Sequence, residues 1–204
     1  VAAIVPMSDL GRLRQLDPAH AADYDRNLAA FLLKLDSAMF GSKLTQTIGG
    51  DRLWQLQLNG GLDKFIRDCN EKIRQTDPNA KDQRLSLDGW LAKLKPFEHA
   101  KIVTYHRSWP YFTSRFNLDV ATELEPKPGI PPGPAHVLEV INTMKADNIK
   151  IILMESFYNR DDADAVAKRT GAKVVVVPVA VTNQKETDNY IAMLDNVVTR
   201  LSSA

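Results

Sequence analysis

After residue 100 the chain alternates short runs of β-branched residues with helical patterns, and this alternation constrains the fold more than any other feature. The predicted strands are Lys101–Tyr105, Asp119–Leu124, Ile149–Met154 and Lys173–Val179. Helices are predicted near residues 108–116, 134–146, 158–170 and 185–201. Because helices that join parallel strands cross over with a right hand and cover both faces, we expect an α/β fold with a mostly parallel sheet of about four strands.

Residues 1–100 follow helical patterns instead. Asp17-Pro18 opens a long amphipathic helix, with apolar residues at three- and four-residue spacing. Residues 41–100 are predicted as short helices, and residues 70–84 within them as an exposed polar loop. The sequence therefore predicts a helical region over 1–100 and an α/β lobe over 101–204. With 204 residues, 44% of them hydrophobic, these form one domain.

Charge and cysteine content exclude several classes of protein. The chain has 26 Lys and Arg against 25 Asp and Glu, so its formal net charge of +1 disfavours binding to nucleic acid. The single cysteine, Cys69, cannot form an internal disulfide, and no paired Cys/His spacing indicates a structural zinc site. The longest apolar stretches, at 149–155 and 174–181, are shorter than the roughly 20 residues of a membrane-spanning helix.

His106 is the first candidate for a binding role. Ligands of open α/β sheets bind beyond the carboxyl ends of the strands, and His106 directly follows the first predicted strand. Imidazole is a common metal ligand, although a single histidine at such a place also serves as a capping or core group. Arg107 and Trp109 follow it and are expected to line the same cleft. The other histidines, His20, His99 and His136, show no metal-binding spacing and are interpreted as surface residues.

Two glutamates follow other predicted strands. Glu125 opens a proline-rich segment over 125–134, which is predicted to be a rigid crossover loop that holds Glu125 in place. Glu155 ends an apolar strand, and its carboxylate is a candidate metal ligand, a hydrogen-bond partner of a metal-binding histidine, or a helix cap. We favour the last two roles for Glu155.

Several motifs of enzymes are absent from the sequence. It has no GxSxG, GxxxxGK[ST] or GxGxxG motif, so the usual anchors of serine hydrolases, phosphate-binding loops and dinucleotide sites are missing. Asp161, Asp162 and Asp164 fall on the first turn of a predicted helix, where the helix dipole favours negative charge. We therefore interpret these three carboxylates as structural.

Four segments together resemble the C-terminal lobe of zinc- and manganese-binding receptors of bacterial ABC importers. They are VTYHRSWPYF at 103–112, EPKPGIPP at 125–132, TGAKV at 170–174 and YIAMLDN at 190–196. Residues 16–31 also resemble the segment after the helix that joins the two lobes of these receptors, and Leu87–Leu91 matches a segment that some members carry before the histidine strand. The resemblance covers nearly the whole chain in order.

The resemblance implies a site between two lobes, in which about four side chains bind the metal. His106 matches the position that is His in zinc-type and Glu in manganese-type receptors, and imidazole favours Zn²⁺ over Mn²⁺ on ligand softness. The aspartate that many members carry after the last strand has no counterpart near Pro178. A helical pattern is under way at residue 1 without a cap, and we expect the N-terminal lobe and any signal peptide to be missing from this chain.

The sequence therefore predicts a non-enzymatic, extracytoplasmic receptor that binds zinc, or alternatively manganese, and delivers it to a membrane permease. Two alternatives stay open. A structural or adhesive domain would keep the fold without a working site, and a small metallohydrolase would use His106 as ligand and Glu155 as general base. We expect weak zinc binding by this chain alone. We also expect self-association, either through the cleft face, where Trp109, Tyr111 and Phe112 are predicted to be exposed, or through the helix at residues 1–16. Alternatively, the three aromatic side chains pack inward beneath the helix at 108–116.

Overall fold

A computed structural model describes residues 4–127 and 129–204. The predicted pattern at residues 1–3 and Pro128 of the proline-rich segment lie outside the described residues. The chain forms two compact units, one ending at Ala92 and one over Lys93–Ala204. No helix that the structure describes is both long enough and apolar enough to span a lipid bilayer.

The first unit is helical. Its α-helices are α1 Ile4–Leu16, α2 Ala21–Phe40, α3 Ser42–Ile48, α4 Gly50–Leu58 and α5 Leu62–Thr76, and α6 Gly89–Leu94 begins in it. The largest buried side chains of the unit are Leu35, Phe40, Leu44, Leu53 and Trp90. Gly89 starts α6 with φ 70°, and a Cβ atom there would lie 2.2 Å from the carbonyl oxygen of Ala38. Only glycine therefore lets the start of α6 approach the end of α2 so closely.

The predicted exposed loop over 70–84 is wrong for its first part, because α5 continues to Thr76. Side chains one turn apart support the polar end of this helix. The Arg74 guanidinium lies 2.7 Å from the Glu71 carboxylate, and the Gln75 amide donates to the same carboxylate at 2.9 Å. The irregular segment starts at Asp77, whose carboxylate accepts a hydrogen bond from the Asn79 amide in a tight turn.

The second unit is built on a four-stranded parallel sheet with the order β2-β1-β3-β4. The strands are β1 Lys101–Thr104, β2 Asp119–Glu123, β3 Ile151–Glu155 and β4 Lys173–Val177. The helices are α7 Pro110–Arg115, α8 Pro134–Ala146, α9 Asp161–Thr170 and α10 Tyr190–Ser202. This arrangement confirms the predicted α/β class with a parallel sheet flanked by helices.

The core of the second unit surrounds the two central strands. All five residues of β3 are buried, as expected for a parallel strand covered on both faces. Ile152 and Met154 pack in one cluster with Val103 of β1 and with residues of α8 and α9. Each such buried aliphatic side chain contributes about 1.5–3 kcal/mol to stability. The core therefore fixes β1 and β3 side by side, and with them the residues that follow each strand.

Candidate metal centre

His106, Glu125 and Glu155 lie at the same edge of the sheet. His106 follows β1, and Glu155 is the last residue of the neighbouring strand β3. Glu125 follows β2 on the other side of β1, and its amide donates to the carbonyl oxygen of Tyr105 at 2.7 Å. The topology thus brings together three of the residues singled out in the sequence, because parallel strands end at one edge.

The imidazole of His106 is half-buried and held by the main chain. Its Nδ1 lies 2.9 Å from the carbonyl oxygen of Glu125. Since a carbonyl oxygen only accepts hydrogen bonds, Nδ1 carries the proton, and the neutral ring keeps a free electron pair on Nε2. A hydrogen bond of this kind fixes ring orientation and tautomer in metal-binding histidines. The hydrogen bond thus fixes the orientation of the His106 ring and leaves Nε2 without the proton.

Glu125 is buried, with 4% of its surface exposed. Its carboxylate Oε1 accepts a hydrogen bond from the Gly129 amide at 2.6 Å. Gly129 has φ 72°, a conformation that favours glycine. The side chain of Glu125 thus binds the proline-rich segment, while its main chain contacts both Tyr105 and His106.

Glu155 is fully buried, and neither oxygen of its carboxylate has a hydrogen-bond partner among the described residues. It does not cap α9, where the Asn159 side chain accepts from the Asp161 amide at 3.0 Å. A buried carboxylate without a partner is costly unless a cation or a proton neutralises it. The chemistry of this side chain therefore fits a bound divalent cation.

Two tyrosines that the sequence analysis did not single out complete the edge. The rings of Tyr105 and Tyr158 stack with centroids 4.6 Å apart, and the His106 ring meets Tyr158 edge-on at 6.4 Å. Burial raises the pKa of Tyr105, and the charge of Glu125 raises it further. Burial and then the charge of Glu155 raise the pKa of Tyr158. Both phenols are thus neutral at physiological pH. Their only sequence signal is an aromatic residue next to each strand end.

Arg107 and Trp109 lie beside a groove of about 520 Å³ between β2 and α7. Arg107 is highly exposed, and its Nε donates to the Glu123 carboxylate at 3.1 Å. The predicted exposure of Trp109 is wrong, because it precedes α7 directly and packs edge-on against Phe112, which leaves it 7% exposed. Phe112 is half-buried, and only Tyr111 of the three aromatic residues is exposed, at 75%.

His136 is half-buried rather than a surface residue as predicted. Its Nε2 lies 3.0 Å from the carbonyl oxygen of Glu123, and its Nδ1 lies 3.6 Å from the Glu139 carboxylate. Both ring nitrogens thus face acceptors, unlike those of His106. Within residues 4–127 and 129–204, no group of three His, Cys, Asp or Glu side chains is placed to hold a metal ion.

Comparisons with known proteins identify the family. The sequence model of the family described as zinc-uptake complex component A, periplasmic (ZnuA) matches residues 66–204. No curated protein sequence matches the chain.

Solved structures share its fold. A manganese-bound periplasmic metal-binding protein of Candidatus Liberibacter asiaticus, the S38A mutant, has a TM-score of 0.59 and 18% identity, over 99% of this chain and 59% of that one. A ZnuA crystal structure has a TM-score of 0.59 and 20% identity, and the match covers 97% of this chain and 56% of that one. FpvC of Pseudomonas aeruginosa, in complex with Mn²⁺, has a TM-score of 0.57 and 19% identity, and the match covers 95% of this chain and 55% of that one.

The chain thus spans less than three fifths of the length of these three structures. Proteins of the matched family bind a divalent metal, are periplasmic and are not enzymes, which confirms the predicted non-enzymatic role. Because the family match covers more than half of the chain and includes both His106 and Glu155, this protein belongs to the ZnuA family of periplasmic metal-binding receptors.

Proposed function

We propose that this protein is the solute-binding component of an ABC importer and that its cargo is Zn²⁺. The observation that carries the proposal is the hydrogen bond from His106 Nδ1 to the Glu125 carbonyl oxygen, which leaves Nε2 free for the metal. A neutral imidazole nitrogen is a ligand of borderline softness, and it favours Zn²⁺ over Mn²⁺. Manganese is the alternative cargo, since two of the three structures compared above contain it.

Glu155 is the second ligand in this proposal. Its buried carboxylate gains a counter-charge when a divalent cation binds, and its two oxygens accept no hydrogen bond from any described residue. The Tyr105–Tyr158 stack lies at the same end of the strands, and Tyr105 is buried. Carboxylate oxygen and imidazole nitrogen together form a donor set that Zn²⁺ accepts in proteins.

Two ligands are fewer than the four that a closed zinc site uses. In this proposal Glu125 holds the proline-rich segment through Oε1 and is not counted as a ligand, and the residue that follows β4 is Pro178, which has no carboxylate. The remaining ligands come from water or from a partner lobe of the receptor. We therefore expect this chain alone to bind Zn²⁺ weakly. Delivery to a membrane permease and residence in the periplasm complete the proposed role.

Calorimetric titration of the chain with Zn²⁺ and Mn²⁺ tests this proposal. We expect weak one-to-one zinc binding, weaker binding of Mn²⁺, and loss of most zinc binding in His106→Ala. His136→Ala is the matched control, since both nitrogens of that half-buried ring face acceptors. Submicromolar zinc binding that His106→Ala leaves unchanged would contradict both the incomplete site and the role of His106.

A structural or adhesive domain without a working site is the second candidate. It is favoured by the absence of any group of three potential ligands within the described parts of the chain. In that case neither metal binds measurably to this chain, and His106→Ala and Glu155→Gln change only stability.

Exposed apolar side chains support a covering partner for this edge of the lobe. Tyr111, Phe157 and Ile130 are exposed by 75%, 64% and 57%, and they follow β1, β3 and β2 respectively. We propose that a partner lobe covers them and that the isolated chain self-associates there. Sedimentation that shows a strict monomer at high protein concentration would contradict the self-association.

A further inference from the structure

Glu125 makes three contacts that join the metal-binding histidine to the proline-rich segment. Its carbonyl oxygen accepts from His106 Nδ1 at 2.9 Å, and its amide donates to the Tyr105 carbonyl oxygen at 2.7 Å. Its carboxylate accepts from the Gly129 amide at 2.6 Å. The main chain and the side chain of one residue therefore bind two different parts of the lobe.

The segment bound by the carboxylate is stiff. Prolines at 126, 131 and 132 fix φ at their own positions, which limits the conformations open to the chain on either side of Gly129. The Ile130 amide donates to the Lys127 carbonyl oxygen at 3.1 Å, which closes a turn around Gly129. The 4% exposure of Glu125 keeps its charge-assisted bond to Gly129 away from competing water.

We propose that Glu125 is a positioning residue whose carboxylate, by fixing the turn at Gly129, sets the place of its own carbonyl oxygen and thereby the tautomer of His106. When the carboxylate is removed, the turn and the Glu125 main chain shift, and the hydrogen bond to His106 Nδ1 weakens. The proton then moves to Nε2 in part of the molecules, and a protonated Nε2 does not bind a metal. The effect on metal affinity rests on the proposed function, whereas the effect on the tautomer does not.

The coupling works in both directions. A metal bound at Nε2 favours the tautomer that donates to the Glu125 carbonyl oxygen, so it also stabilises the bond between Glu125 and Gly129. We therefore expect bound Zn²⁺ to slow hydrogen exchange of the Gly129 amide.

Nitrogen-15 NMR of the histidine rings tests the proposal in the metal-free chain at about pH 8.5, where histidines are normally neutral. In the unchanged chain we expect His106 to carry its proton on Nδ1. In Glu125→Ala we expect a mixture of both tautomers and about tenfold weaker zinc binding, the lower end of the range for groups that orient a ligand. Glu125→Gln keeps an acceptor oxygen, so it restores most of both properties.

Glu123→Ala is the matched control, since Glu123 lies two residues earlier, pairs with the exposed Arg107 and binds His136 only through its main chain. Gly129→Ala disturbs the turn from its other end, because a Cβ there meets open space but φ 72° is strained. Gly129→Ala should shift the His106 tautomer in the same direction as Glu125→Ala. It replaces Glu125→Ala as the test if that variant fails to fold.

An unchanged His106 tautomer in folded Glu125→Ala or Gly129→Ala would overturn the proposal. A shifted tautomer in Glu123→Ala would overturn it as well, since the effect would not be specific to Glu125. If the tautomer shifts as expected but His106→Ala leaves zinc binding unchanged, Glu125 positions the ring and the proposed function is wrong.

Discussion

The helical unit buries the carboxylate of Asp36, and the α/β unit buries those of Glu125 and Glu155; Asp36 and Glu155 differ most in their hydrogen bonds. In the helical unit, Asp36 is 9% exposed and accepts a hydrogen bond from Trp54 Nε1 at 2.7 Å. In the α/β unit, Glu155 is 0% exposed, and its oxygens accept no hydrogen bond from the described residues. A buried carboxylate with a structural role accepts hydrogen bonds from the protein. A buried carboxylate that binds a ligand lacks such a partner until the ligand is bound. The contrast with Asp36 supports the proposal that Glu155 is a binding residue.

The largest expected effect tests how tightly the helical unit packs around Asp36. A Cβ added at Gly50 would lie 1.8 Å from Asp36 Oδ2. Gly50→Ala should therefore lower the free energy of unfolding by about 3 kcal/mol, as overpacking does in tight cores. Gly11→Ala is the control, because a Cβ atom added there meets nothing within 4 Å. Gly49→Ala is unsuitable, because Gly49 has φ 86° and any other residue there is strained. Equal stability of the two variants in urea would show that Asp36 has room to move.

A smaller effect of opposite sign is expected at Glu155. Glu155→Met replaces the unpartnered carboxylate with an apolar side chain of similar length, and it should stabilise the metal-free chain by about 2 kcal/mol. The same variant should lose zinc binding. Thermal unfolding with and without Zn²⁺ measures both. Destabilisation of the metal-free chain would mean that the carboxylate has a stabilising partner, and the contrast with Asp36 would fail.

The smallest expected effect is the pH dependence contributed by Asp36. Burial raises its pKa, the Trp54 hydrogen bond lowers it, and the charge of Asp51 raises it again, with a net rise above 3.8. The folded chain therefore binds this proton more tightly than the unfolded chain does. Its contribution to stability is present below pH 3.8 and declines as pH rises through the folded-state pKa. In a plot of the urea midpoint of unfolding against pH, Asp36→Asn should flatten the curve in this range. An unchanged curve would contradict the raised pKa of Asp36.

The sequence predicted the α/β unit better than the helical unit, for physical reasons. β-branched runs bounded by turn residues define strands locally, and all four predicted strands are present. The start of β3 moves from the predicted residue 149 to Ile151, because the Ile149 amide closes α8 on the Met144 carbonyl oxygen. The helix α10 starts at Tyr190 and not at the predicted residue 185, because the Asn189 side chain caps it by accepting a hydrogen bond from the Ala192 amide.

The site was predictable only in part. The position of His106 follows from the rule that ligands bind beyond strand ends. The hydrogen bond from His106 to Glu125 and the lack of a partner at Glu155 depend on which atoms meet after folding, across 19 residues in the first case. Sequence patterns predict which residues are buried and which form helices or strands, but they do not predict individual atomic contacts. The Asp36–Trp54 hydrogen bond was not predicted for the same reason.

The proposed function requires that Nε2 of His106 and the carboxylate of Glu155 bind the same metal ion. Nitrogen-15 NMR of the His106 ring during titration with Zn²⁺ tests it most directly. We expect the Nε2 resonance to shift on zinc binding while Nδ1 keeps its proton, and we expect Glu155→Gln to abolish the shift at the same zinc concentration. A His106 ring unaffected by bound zinc, or a shift of the same size and midpoint in Glu155→Gln, would contradict the claim.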